Sequence, residues 1–232
     1  MIYLVFAVLT SSSIALIFKF SENNGMDRYV VTSFNYLAAT LVSLAIIGFS
    51  NLKLPFVSFS VRPRELFSAI TGAGKAGDTE SSLLWAFLVG VPAGVFFFLA
   101  FIYYQKGINE NGAGLAGAFS KIGILIPMTV SIVVWDEIPT VLQSLGIGLS
   151  LVSILLVNVS FKNFSPERLR LTLLALFFFS GFAEFTNKVF QKYGFMEHRL
   201  VFLFFVFSTA FLISGAFLLL RKRVPRPGAM FT

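Results

Sequence analysis

The chain has no cysteine, a single histidine and few charges, only 12% of its 232 residues. Without cysteine there is no disulfide framework, no thiol nucleophile and no thiolate metal site. One histidine, His198, leaves no histidine pair for a hydrolytic zinc, and neither H-E-x-x-H nor G-x-S-x-G occurs. A soluble domain carries charge on roughly a quarter of its residues. Half that charge, with 56% apolar residues and a mean hydropathy of +0.84, excludes an ordinary water-facing surface. No enzymatic activity, cofactor or metal is expected.

What fills the chain instead is apolar sequence in long runs. A helical crossing needs about 20 apolar residues. Runs of that length predict seven spans at 2–18, 29–49, 83–104, 113–135, 140–158, 169–190 and 200–220. They are continuous and lack the dyad alternation of a membrane β-barrel. The expected fold is therefore an all-α integral membrane protein. The first run has no basic residue before it and no small-residue cleavage site after it, and is read as a retained span rather than a signal peptide. The net charge of +7 comes from residues placed singly between spans, where Lys and Arg anchor and orient helices, and is not read as a nucleic-acid surface. Arg221-Lys222-Arg223 is the one basic cluster. The longest connection, 51–82, is polar, with Arg62, Arg64, Glu65, Lys75, Asp78 and Glu80, and could carry a short surface helix near 64–70. Its Thr71-Gly-Ala-Gly-Lys75 lacks the spacing of a phosphate-binding loop.

A shift of 169 residues lays Ser11 on Ser180, Lys19 on Lys188 and Gly25 on Gly194; one residue further, Asp27 meets Glu197 and Phe34 meets Phe204. The shift contains five crossings, an odd number, so the second unit enters the membrane from the opposite side. That is an inverted repeat, a construction shared by many secondary transporters.

The stretch 106–158, KGINENGAGLAGAFSKIGILIPMTVSIVVWDEIPTVLQSLGIGLSLVSILLVN, carries Ala118, Ser120, Pro127, Glu137, Gln143 and Gly146 in a distinctive order. It resembles the EamA-like branch of the drug/metabolite transporter superfamily, as do the opening MIYLVFAVLTSSSIALIFKF and the pair Asn35-Tyr36. The resemblance implies ten spans in two inverted five-span repeats. The expected organisation is a complete repeat over 1–160 and a partial one of two spans, with a basic tail, over 161–232; the last three spans are absent. It also implies a permease or exporter of the bacterial inner (plasma) membrane that moves a small polar metabolite by alternating access, with a coupling proton, the lipid bilayer and self-association as further expected partners. A non-transporting fragment of such a transporter is the alternative. A seven-helix receptor fits less well, since Asp27-Arg28-Tyr29 precedes the second span instead of following the third. A membrane-embedded enzyme lacks a polar constellation. The family precedent places the N-terminus inside, with Lys53, Arg62, Arg64 and Lys75, although Arg221–Arg223 then lies outside.

Lys121 is the sharpest candidate for a substrate site. A lysine at mid-span costs roughly 2.5–3.5 kcal/mol, while each Leu, Ile, Phe or Val returns about 0.3–0.6. Two readings are open: a snorkelling side chain, or an ammonium facing a polar cavity. Glu184 and Lys188 stand four apart in the order that favours an ion pair. Ser120, Glu184, Asn187 and Asn35 complete the expected substrate-binding set; the plainer role is structural pairing with Lys188 for Glu184 and interhelical packing for the other three. Pro127 and Pro92 are the expected helix breaks, freeing backbone carbonyls at Gly123 and Leu88 and acting as gating points. Gly90-x-x-x-Gly94 predicts a close helix crossing. Asp136-Glu137 with Pro139 is expected to start the fifth span.

Overall fold

The computed structural model describes residues 2–50, 79–158 and 171–220, and within them the chain is helical with no strand. The helices are α1 (Ile2–Asn23), α2 (Arg28–Phe49), α3 (Thr79–Asn111), α4 (Ala113–Ile122), α5 (Leu125–Trp135), α6 (Val141–Asn158), α7 (Leu171–Tyr193) and α8 (Arg199–Leu220), with a 3-10 turn, Met196–His198, before the last. The surface helix expected near 64–70 and the basic cluster 221–223 lie outside the described residues.

Five stretches are long and apolar enough to cross a bilayer: Arg28–Phe49, Ser81–Asn111, Ala113–Trp135, Leu171–Tyr193 and Met196–Leu220. α6 adds a shorter apolar stretch, Val141–Val152. Side-chain exposure names the solvent. Leu142 is 80% exposed and Leu149 71%, and α1 turns Phe6, Leu9 and Leu16 outward. Soluble monomers do not display contiguous apolar surface on this scale. The chain is an all-α membrane protein.

α3 is the central strut. It packs along both α7 and α8, and α2 lies against α8. Close approach depends on small residues, because in lipid the gain comes from packing and not from expelling water. The expected Gly90-x-x-x-Gly94 crossing is present. A Cβ on Gly94 would stand 2.6 Å from both the Val206 carbonyl and the Thr209 Cβ, and one on Gly90 would stand 2.9 Å from the Phe205 Cβ. Ala86, Ala93, Val206 and Ala210, all fully buried, continue the seam. Around it the rings of Phe190 and Phe202 stack at 4.6 Å.

The turns group at two ends of the bundle. At one, here the Arg28 face, Phe18 of α1 meets Phe101 of α3 at 4.5 Å, and Tyr29 of α2 stacks on Phe217 of α8 at 5.7 Å. At the other, the Glu137 face, Trp85 of α3 stacks on Tyr193 of α7 at 5.1 Å. These contacts fix the directions: α1 runs toward the Arg28 face and α7 away from it, while α2 runs away from it and α8 toward it.

The expected start of the fifth span changes. Asp136 does not begin the span after it. It closes α5 in a left-handed conformation (φ 54°), and its N–H returns to the Ser131 carbonyl. The following helix is instead started by Thr140 and Gln143. Gln143 Oε1 accepts from the Thr140 N–H at 2.9 Å, and Thr140 Oγ1 accepts from the Gln143 N–H at 3.4 Å, a reciprocal cap. Glu137 is thereby free to serve another helix.

Candidate functional site: the broken fourth span

The stretch Ala113–Trp135 crosses in two pieces. α4 stops at Ile122 and α5 starts at Leu125. Pro127 has no N–H to give the Gly123 carbonyl four residues earlier, so the ladder tightens. Ile124 N–H bonds Lys121 O at 3.2 Å, and Ile126 N–H bonds Gly123 O at 3.0 Å. These i→i+3 bonds turn two N–H groups away from the carbonyls of Ser120 and Ile122 that a continuous helix would give them. Backbone polarity is thus concentrated inside an apolar span. Pro92 acts differently, since it lies inside α3, which is unbroken over its 33 residues. One missing bond does not break a helix held by two neighbours.

The break is pressed against α7. A Cβ on Gly123 would meet Ser180 Oγ at 2.6 Å and the Gly181 N at 2.9 Å; one on Gly181 would meet the Gly123 carbonyl oxygen at 2.7 Å. Backbone touches backbone here. From the crossing, Ser180, Glu184 and Asn187 follow one another along one side of α7, as three- and four-residue spacing requires. Ser180 is buried and gives its O–H to the Leu176 carbonyl at 2.7 Å. Glu184 is exposed and accepts from Asn187 Nδ2 at 3.4 Å.

Lys121 lies in the last turn of α4, exposed, and its ammonium has no ion pair or hydrogen bond among the described residues. It sits about 140° around the helix from the fully buried Ala116. No contact brings it to Glu184. Ser120 beside it is half-buried, and Asn35 is exposed on α2, with no contact to the break. The structure therefore groups Ser120 and Lys121 on one side of the break and Glu184 and Asn187 on the other helix, and leaves Asn35 apart.

Lys188 does not pair with Glu184. Its ammonium lies 2.7 Å from Glu137 Oε2, and that of Lys192 lies 2.7 Å from Glu137 Oε1, so one carboxylate beyond α5 bridges two lysines of α7. Trp135 adds its indole N–H to the Tyr193 hydroxyl at 3.0 Å, and Lys192 rests 5.8 Å from the centre of the Trp135 ring. Sequence reasoning missed this cluster because its partners are more than fifty residues apart. The signal was the Lys188/Lys192 spacing, which puts two like charges on one helix face and calls for an acid.

The Lys188 hydrogen bond first, and then that of Lys192, holds the Glu137 carboxyl at about 2, below its ordinary 4.5. A lowered folded-state pKa adds stability above the unfolded value and loses it as pH falls through the folded one. The melting temperature of Glu137→Gln in detergent should therefore lie below that of the parent by a constant margin above pH 4.5. The margin should shrink below that pH and close near 2. A margin that persists there would show that the carboxylate charge is not what counts. The partners are about one-third exposed, so the pair is screened and the margin modest.

A second polar locus lies at the Arg28 face. Glu22 takes both Arg28 Nε and Nη2, at 2.6 and 2.7 Å, and inside it Gln105 Nε2 donates to Thr32 Oγ1 at 2.9 Å, both residues fully buried. This cluster binds helix ends together, although Gln105 Oε1 is buried without a hydrogen-bond partner. At the Glu137 face Ser82 Oγ plays the same role, accepting from the Phe195 N–H and meeting His198 Nδ1, each at 2.8 Å. No group of three or more His, Cys, Asp or Glu among the described residues could hold a metal.

No protein-family model, curated protein or solved structure matches the chain.

Proposed function

We propose that this protein is a secondary transporter of a small polar metabolite, working by alternating access around the broken fourth span. The interruption at Gly123–Ile124, seated on α7 at Gly181, carries the reading. Carbonyls freed by a tightened ladder at membrane depth need a protein partner or a watered cavity, and discontinuities in helices are where transporters expose backbone dipoles to a solute. Ser120 and Lys121 on α4 and the Ser180–Glu184–Asn187 row on α7 supply donors, an acceptor and both signs of charge to such a solute. Glu184 and a coupling proton fit together, since an exposed intramembrane carboxylate is a natural proton carrier.

The likeness of 106–158 to EamA-like transporters supports the same reading, as does the opposed direction of α1 and α7 and of α2 and α8. On this view α1 and α6 are the first and fifth of seven spans. Residues 1–160 form one five-helix repeat and 161–232 begin its inverted copy, in a bacterial inner membrane. The runner-up is a fragment that keeps this frame without transporting.

The test is counterflow of candidate metabolites in proteoliposomes, with Glu184→Gln beside the parent. Loss of proton-driven uptake with exchange retained, at unchanged reconstitution, is the expected result. A parent chain that is stable in vesicles and moves no solute in any assay would favour the fragment.

A further inference from the structure

We infer that α5 is a hinged half-helix and that the Glu137–Lys188–Lys192 cluster is the latch holding its free end shut. The inference rests on reading the α5–α7 seam as the solute's route, and it names the part that opens. Three observations combine. The ladder tightens to i→i+3 bonds at Gly123–Ile124 while the backbone stays right-handed helical, so α4 and α5 meet at a point of weakened continuity. The seam at that end is a close crossing of two glycines, where neither Gly123 nor Gly181 leaves room for a Cβ and only the Ile126 and Ser180 side chains flank the contact. It is the point about which α5 can turn. At the far end, twelve residues or about 18 Å away along the helix, the contacts change character. There Glu137, Trp135, Lys188, Lys192 and Tyr193 hold by ion pairs, one hydrogen bond and ring contacts.

Contacts of this kind are reversible at low cost, because ion pairs about one-third exposed exchange readily for water. Between pivot and latch the inner side of α5 carries Ser131, which is buried. A swing of α5 about Gly123 would uncover Ser131 and Ser180 toward the Glu137 face and join them to the already exposed Glu184. The α7 partner stays fixed through α3, against which it packs along its length. At the Arg28 face the equivalent tie, Glu22 with Arg28, joins the ends of α1 and α2 and leaves α4 unlatched.

The absence of cysteine makes the test direct, because any introduced thiol is unique. Ser131→Cys in the full chain, in lipid nanodiscs, is labelled with a membrane-impermeant maleimide; Ala210→Cys, fully buried between α3 and α8, serves as the reference. With Glu137 intact, labelling at 131 should be slow. Glu137→Gln should raise it by roughly tenfold or more, as local opening becomes more populated, while 210 stays protected. Reversing all three charges (Glu137→Lys with Lys188→Glu and Lys192→Glu) should restore protection at 131. Equal labelling of 131 with and without Glu137, no rescue on reversal, or a parallel rise at 210 would each overturn the latch. Labelling reports opening whether or not a solute moves, so a failure of the transport reading would be seen separately.

Discussion

Gly181→Val is expected to separate the broken span from α7 and to cost about 3 kcal/mol or more, at or beyond the upper end of ordinary overpacking. The Cβ alone would overlap the Ile126 side chain and stand 2.7 Å from the Gly123 carbonyl oxygen. An isoleucine can rotate away; a backbone carbonyl inside a helix cannot. The displaced element is α5, so the loss should appear as a lower melting temperature and as earlier proteolysis near the turn at residues 136–140. Gly146→Ala and Gly148→Ala are the matched controls, because nothing lies within 4 Å of a Cβ at either position. In a helix that exchange is neutral or gains up to about 1 kcal/mol. If Gly181→Val melts with the parent, the crossing is not as close as described and the pivot has no basis.

The second large effect is expected at Lys121. In proteoliposomes Lys121→Ala should abolish uptake, or lower it by at least about tenfold, which is roughly 1.4 kcal/mol of lost interaction with the solute. Membrane insertion should be unchanged or improved, since the lysine is the costliest residue in its span. Lys121→Arg should keep the charge and still transport poorly, because a planar guanidinium does not replace a compact ammonium in a fitted site. The opposing outcome is physically well defined. Lys121 stands eight residues, about 12 Å, from the start of α4, and side chains on a helix lean toward its N-terminus. Its ammonium can therefore reach toward the headgroups of the Arg28 face. Full uptake by Lys121→Ala would show that it does so, and would remove Lys121 from the site.

How much of this was legible beforehand depended on the range of the interaction. The helices were readable because apolar run length is a local quantity: 29–49 and 200–220 became Arg28–Phe49 and Arg199–Leu220 almost unaltered. α3 overran its expected 83–104 to reach Thr79–Asn111, since apolar content marks the membrane and not the helix. The break at Gly123 follows from Pro127 by backbone chemistry alone, yet the same logic at Pro92 yields a continuous helix. Deciding between them required the neighbours. Gly90 and Gly94 lie on either side of Pro92 and are clasped by α8, whereas Gly123 meets α7 exactly where its own ladder fails. Asp136-Glu137 was legible as a turn but not in its roles. One acid closes the helix before it, and the other reaches Lys188 and Lys192 on a distant segment. Pairing across fifty residues leaves no local periodicity to read.

The length of α3 has a consequence for the membrane itself. Trp85 and Lys106, the residue types that settle at water–lipid boundaries, are separated by twenty-one positions on α3, or about 32 Å of helix. A typical hydrocarbon layer is about 30 Å thick. With α7 and α8 packed along it, α3 cannot tilt or shorten on its own to suit a different layer. It acts as a gauge to which the surrounding lipid adjusts, thinning around the protein where the bilayer is thicker and thickening where it is thinner. Such mismatch costs fractions of a kcal/mol per Å, enough to bias where in a heterogeneous membrane the protein resides.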